Sequence, residues 1–138
     1  MWVLENELKT TASREQIWAL WSDVSSWPKW DDSLATVTLD GDFASETFGR
    51  LKPKQAREVG FQLLDVQPPE SFVDVQLLPA AKMITRHSIE PGEGGFVVKQ
   101  RVTFEGALGR VFSWVIGRSL KTDMPKAMKT LVRLAESS

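Results

Sequence analysis

From Trp2 to Lys9 apolar and polar residues alternate loosely, with Trp2, Leu4 and Leu8 set against Glu5, Glu7 and Lys9, the period of a half-buried strand. The period then becomes helical. Ser13 followed by Gln16 forms a capping-box pattern, and Ile17, Leu20, Trp21 and Val24 recur at three- and four-residue spacing, which predicts a short amphipathic helix. Ser25 and Ser26 offer a second N-cap, and Pro28 suits a first helical turn because the amide hydrogen it lacks has no partner there, so a second, shorter helix is expected from near Trp27. After Leu34 come short runs rich in β-branched and aromatic residues, separated by Asp40-Gly41, Pro53, Pro68-Pro69, Pro79 and Pro91-Gly92-Glu93-Gly94-Gly95. They predict strands near 34–40, 46–53, 57–66, 71–78, 81–90 and 95–106. Connections this tight favour an antiparallel meander, since each parallel crossover needs about a dozen residues. With the first strand, the sheet has about seven strands.

From Leu108 the pattern returns to a helical period. Leu108, Val111, Phe112, Val115, Ile116, Leu120, Met124, Ala127, Met128, Leu131 and Leu134 form a continuous apolar stripe and predict a long carboxy-terminal helix. Gly117 and Pro125 interrupt it, so a kink or break is expected between 117 and 125, with a restart capped by Thr122 or Asp123. The order of elements gives an α+β class, a curved antiparallel sheet around one long helix with two short helices after the first strand. The 138 residues, 42% of them hydrophobic, suit a single domain spanning 1–138 with one core.

Composition narrows the partners. Seventeen basic against eighteen acidic residues leave a net charge of -1, which supplies no global field for nucleic acid. The last helix is an exception, with six basic against two acidic residues over 107–138. That asymmetry suits a solvated helix face, or an acidic partner surface or phospholipid. No apolar run reaches the roughly 20 residues of a membrane span, and the start MWVLENELKTT lacks the basic and apolar segments of a signal peptide, so a cytoplasmic location is expected. The absence of cysteine excludes disulfides and thiolate chemistry.

The order of elements, the segment Asp23-Val24-Ser25-Ser26-Trp27-Pro28-Lys29-Trp30-Asp31, the Leu77-Leu78-Pro79-Ala80 turn followed by His87, and the ending Met124-Pro125-Lys126-Ala127-Met128-Lys129-Thr130-Leu131 resemble the polyketide cyclase/dehydrase branch of the START-like (SRPBCC) superfamily. The resemblance covers nearly the whole chain, and its most specific part is the DV-x-x-W-x-x-W segment after the first helix. It implies a helix-grip fold with an apolar cavity between sheet and long helix. Members of that superfamily bind lipids, sterols, polyketides or other hydrophobic small molecules, and some catalyse reactions in the cavity. A fold so widely reused does not fix a function, so the residues must be weighed singly.

Four tryptophans, Trp18, Trp21, Trp27 and Trp30, fall within thirteen residues. Trp27 and Trp30 read as staples of the helical elbow. Trp21, on the inward face of its helix, reads either as a pin to the sheet or as a cavity wall. Trp114 reads as an exposed aromatic or an interface residue. On the strand 81–90, His87 shares a face with Met83, Thr85 and Ile89, so period-2 alternation turns it inward. It is either a general acid or base, or hydrogen-bond donor to a ligand carbonyl, or a core histidine paired to a neighbouring strand. On the next strand Gln100 is the one polar residue among Phe96, Val98, Val102 and Phe104, and its amide must meet His87 or a ligand. Met83, Phe96 and Phe104 from the sheet, and Phe112, Val115 and Ile116 from the long helix, complete the expected ligand lining with Trp21, His87 and Gln100. Asp31 and Asp32 read as surface acids at a helix end, and Asp74 and Gln76 as solvated.

One histidine, no cysteine and no carboxylate cluster at ligand spacing argue against a metal, and no cofactor is expected. There is no P-loop, G-x-G-x-x-G after a strand, or G-x-S-x-G elbow. The leading expectation is a binder of a hydrophobic small molecule, as a monomer or homodimer. The alternatives are a cyclase/dehydratase-type enzyme using His87, and a partner-binding module using the region of Trp114 and the basic helix face.

Overall fold

The computed structural model describes residues 2–138. Strand β1 (Val3–Thr10) leads into α1 (Arg14–Ser22), a single 3-10 turn (Val24–Ser26) and α2 (Trp27–Trp30). Six strands follow: β2 (Leu34–Leu39), β3 (Phe48–Pro53), β4 (Val59–Gln67), β5 (Ser71–Leu78), β6 (Ala81–Gly92) and β7 (Gly95–Glu105), and then α3 (Gly109–Glu136). All seven strands form one antiparallel sheet in the order β1-β7-β6-β5-β4-β3-β2. Only β1 is out of sequence, pairing with the last strand, and α3 packs chiefly on β1 and β7. This is a helix-grip fold.

The local signals at α1 act as expected. Ser13 Oγ accepts from the Gln16 amide at 3.1 Å, and Gln16 Oε1 accepts from the Ser13 amide at 2.8 Å, so two otherwise orphaned donors are satisfied reciprocally. The second cap does not form. Ser26 Oγ donates instead to the Leu20 carbonyl at 2.8 Å and Ser25 Oγ donates to Asp23, which ties the elbow back to α1. In the β5–β6 hairpin Pro79 is followed by Ala80 at φ 52, the left-handed residue that reverses the chain, and the Ala80 carbonyl accepts from the Leu108 amide where α3 begins.

The expected break in the last helix is absent: α3 runs 28 residues without interruption, through both Gly117 and Pro125, and neither Thr122 nor Asp123 caps a restart. Packing explains this. Gly117 lies under the indole of Trp2, where a Cβ would stand 2.8 Å from a ring carbon, so it is a point of close approach rather than a weak point. Pro125 removes one backbone bond, but Met124 before it and Met128, Leu131, Val132 and Ala135 after it are all buried. That contact outweighs a loss of about 3 kcal/mol.

The interior has two apolar clusters. The larger joins α1, α2 and the distal half of α3 to β2–β5, around Ile17, Trp21, Trp27, Phe61, Leu63 and Phe72. The smaller joins Met83, Val102 and Met124 with Trp2, Leu4, Phe104, Ile116 and Leu120.

Candidate functional site

Where the two clusters meet, the inner face of the sheet is polar. Register places Asn6, Gln100, His87 and Phe72 side by side across β1, β7, β6 and β5. Asp74 stands two residues beyond Phe72 and therefore on the same face. His87 Nε2 and Asp74 Oδ2 are 2.6 Å apart, and the two residues are 7% and 5% exposed. With the carboxylate accepting from Nε2–H, Nδ1 of a neutral imidazole is left as an acceptor. Phe72 stacks on the imidazole with ring centres 4.3 Å apart and planes 9° apart, and Trp21 meets it edge-on at 5.6 Å. Ring orientation is thus fixed on three sides.

Asp74 corrects the expectation that it is solvated. Alternation correctly separates Phe72, Asp74 and Gln76 from Val73, Val75 and Leu77, but the inward set is the one containing Phe72, while Leu77 on the other face is 42% exposed. The polar member of the inward set is tolerated because His87 satisfies it. Gln100 faces inward between Val98 and Val102, which are 0% and 1% exposed, yet its amide makes no hydrogen bond to His87 or to any other described residue. Asn6 donates to the Met128 sulfur at 3.4 Å.

The tryptophans divide by what their indole nitrogens do. Trp27 donates to the Trp21 carbonyl at 2.9 Å and stacks on Phe61, so it is the staple of the elbow. Trp30 is as deeply set, at 8% exposure, but its Nε1 is buried with no partner among the described residues. Trp18 packs edge-on against Trp21, Phe43 and Phe72. Trp21, Trp30, His87, Val98, Lys99, Gln100, Met128 and Leu131 line a void of about 10 Å³ beneath α3.

The residues expected to line a single cavity are distributed over several places. Trp21, His87 and Gln100 come together at the void. Met83, Phe104 and Ile116 belong to the smaller apolar cluster, with Phe104 edge-on to Trp2 at 5.2 Å. Phe96 lies apart under the Arg14 guanidinium, 5.0 Å from its ring centre, and Phe112 is half-buried. Val115 faces away from the interior, 55% exposed, because the first turns of α3 bury Ser113 and Gly117 and turn Val111, Trp114 and Val115 outward. Trp114 is 68% exposed, with the Arg118 guanidinium 5.2 Å above its ring. Trp30, Asp74, Asn6 and Met128 are site residues that the sequence reading passed over. Asn6 alone carried a signal, as the polar residue between Leu4 and Leu8 on the inward face of β1.

A groove of about 440 Å³ crosses β1, β7 and β6 and is lined by Glu5, Glu7, Arg86, Ser88, Lys99 and Arg101, and also by Asn6 and Gln100 of the seam. Its charges largely compensate one another, as in Arg101 with Glu5 and Lys99 with Glu90. Among the described residues no three His, Cys, Asp or Glu side chains gather to hold a metal. No helix is long and apolar enough to cross a membrane.

Asp31, at the end of α2, is more than a surface acid. Its Oδ1 accepts from the Ser33 amide at 3.0 Å and from the Ser33 hydroxyl at 2.6 Å. Burial nonetheless pushes its carboxyl above the ordinary 3.8, and Asp123 and Asp32 add to the rise. A carboxyl whose folded pKa is raised disfavours the folded state at neutral pH, and that penalty fades as pH falls through the raised value towards 3.8. Asp31→Asn keeps the acceptor oxygen and removes the charge. Its melting temperature should exceed the parent's by about 1–2 °C at pH 7, and thermal scans near pH 4 should show the two converge.

The same architecture occurs in proteins of low sequence identity. The chain is similar to the di-domain ARO/CYC StfQ from the steffimycin biosynthetic pathway, with a TM-score of 0.80 and 14% identity, over 98% of this chain and 50% of that one. It thus spans about half of that protein. It is also similar to Ara h 8.0201, with a TM-score of 0.78 and 14% identity over 99% of both chains. Norcoclaurine synthase from Thalictrum flavum, in complex with dopamine and hydroxybenzaldehyde, gives a TM-score of 0.71 and 15% identity, over 96% of this chain and 85% of that one. Nothing among curated proteins matches the chain. At these identities the likenesses show the fold, but the model of one family, polyketide cyclase / dehydrase and lipid transport, matches residues 1–136, and the chain belongs to that family.

Proposed function

We propose that this chain is a cytoplasmic protein that takes up a hydrophobic small molecule, a lipid, polyketide or aromatic compound, between the sheet and α3. The observation that carries the reading is the polar seam of Asn6, Gln100, His87 and Asp74 set between two apolar clusters. In a core that serves packing alone such a seam costs stability relative to apolar residues. A mostly apolar lining with a few convergent polar groups is how a pocket orients its guest. A guest needs more room than 10 Å³, and Met83, Met124 and Met128 flank the seam. Methionine is unbranched and repacks readily, so uptake proceeds by displacement of these side chains from beneath α3. Calorimetric titration with 8-anilinonaphthalene-1-sulfonate, with native mass spectrometry of the protein as purified, tests the reading. Saturable one-to-one binding is expected, weakened about tenfold or more by Met128→Trp, which fills the space above Gln100. If no apolar probe binds, the reading is discarded.

The 2.6 Å contact between His87 and Asp74 favours a second reading, a cyclase/dehydratase-type enzyme. His87 Nδ1 would take a proton from carbon next to a ligand carbonyl, and Gln100 or an indole nitrogen would stabilise the developing enolate. Deuterium exchange at the α-carbon of aryl β-keto thioesters, followed by NMR, should be fast with the parent protein and fall about a hundredfold or more in His87→Ala. Equal exchange in the two proteins eliminates His87 as the base.

A further inference from the structure

We infer that the void beneath α3 is a seat for one hydroxyl group, and that the guest is an apolar ring compound carrying such a group. The inference rests on the guest-binding reading above and specifies what that site selects.

At about 10 Å³ the void has room for a single oxygen. Three polar groups border it. Trp30 offers an indole N–H that is buried and unpartnered among the described residues, whereas Trp27, three positions earlier, has its N–H satisfied by the Trp21 carbonyl. The fold therefore satisfies one buried indole of the elbow and leaves the other, on a residue of the void's lining, without a partner among the described residues, although an unmatched buried donor is costly. Gln100 lies between the fully buried Val98 and Val102 with its amide uncommitted. His87 has Nε2 engaged by Asp74, and a neutral ring then presents Nδ1 as an acceptor.

An oxygen in this seat meets one obligate donor, one acceptor, and an amide that can serve as either. A hydroxyl satisfies both demands, accepting from Trp30 and donating to His87 or to the Gln100 carbonyl. A carbonyl oxygen would set its lone pairs against Nδ1, and an ammonium group would set its hydrogens against the Trp30 N–H. The rest of the wall is Trp21, Val98, Met128 and Leu131, which suit a flat hydrocarbon body, together with Lys99, whose ammonium is engaged by Glu90. Met128 is unbranched, and the one hydrogen bond on its sulfur, from the Asn6 amide, is weak, so it is the side chain that repacks to admit that body.

The test compares 2-naphthol with 2-methylnaphthalene, in which a methyl group replaces the hydroxyl at nearly equal size. Affinities come from calorimetry, and the site from the 15N–1H signals of the tryptophan indoles, with Trp30 identified by the signal missing in Trp30→Phe. The seat predicts that 2-naphthol binds about tenfold or more tightly, although it is the less hydrophobic of the two, and that it alone moves the Trp30 signal downfield. Gln100→Leu should cut that preference, read as the ratio of the two affinities, to about threefold or less, and it serves if Trp30→Phe fails to fold. Equal affinity for the two probes, or a Trp30 signal that responds identically to both, overturns the seat and leaves the guest-binding reading standing. If neither probe binds, both fall.

Discussion

Phe72→Ala is expected to lower the stability of the protein by about 3–5 kcal/mol. Phe72 is fully buried and is the hub of the aromatic core. Its ring centre lies 4.3 Å from His87, 5.1 Å from Phe43, 5.3 Å from Trp21, 6.1 Å from Trp18 and 6.3 Å from Trp27. Those neighbours come from α1, α2, β6 and the segment before β3, elements that cannot all close on the space left by the ring. Hence the cavity term adds to the lost transfer energy instead of relaxing away. The loss also removes the surface on which His87 stacks, so guest affinity should fall along with stability. Urea unfolding checks the first claim, read as a drop in midpoint at unchanged slope. A loss below about 1.5 kcal/mol would show that the core collapses onto the site and that Phe72 is not its hub. Phe72→Leu, which keeps most of the volume, should cost less than half as much while still loosening His87.

The contrast between what the chain discloses and what it conceals follows from the kind of information each feature needs. The capping box at Ser13 and Gln16, the alternation that turns His87 and Gln100 to one face, and the turn at Pro79-Ala80 are set by neighbours within a few residues, so they are readable along the chain. Asp74 shows the limit. Period-2 alternation sorts β5 into two faces but does not say which carries the site, and the face with three aliphatic residues is the one opposite it, although Val75 there is covered and 6% exposed. Only the pairing of β5 with β6, which brings Phe72 opposite His87, decides the matter. Pro125 shows a second limit, since local propensity calls for a break and distant contacts made by Met124 and Met128 override it. Trp30 shows a third. Both elbow tryptophans carry the same donor, and which one finds a carbonyl depends on the path of the chain from Trp21, which no pattern of residue types encodes.

The pairing of His87 with Asp74 leads to the sharpest expectation about why a polar group sits in this core at all. Asp74→Leu leaves the imidazole N–H without an acceptor, in a place that Phe72 and Trp21 close to water, and should cost about 2–3 kcal/mol. Removing both partners as His87→Leu with Asp74→Leu leaves neither partner unsatisfied and adds apolar contact, so the double variant should come within about 1 kcal/mol of the parent and be more stable than either His87→Leu or Asp74→Leu alone. The cycle would then show a strong coupling, because the damage of one substitution is relieved by the other. Such a result separates two roles that otherwise look alike. If the pair serves packing, the repaired core keeps every property of the parent. If it serves a guest, the double variant folds well and loses the binding of 2-naphthol by about tenfold or more, while apolar probes of the same size bind as before. Equilibrium unfolding and calorimetry on the same four proteins give both halves of the comparison. Additive stability losses would show that the two groups are not coupled, and an undiminished affinity for 2-naphthol in the double variant would remove His87 from the site.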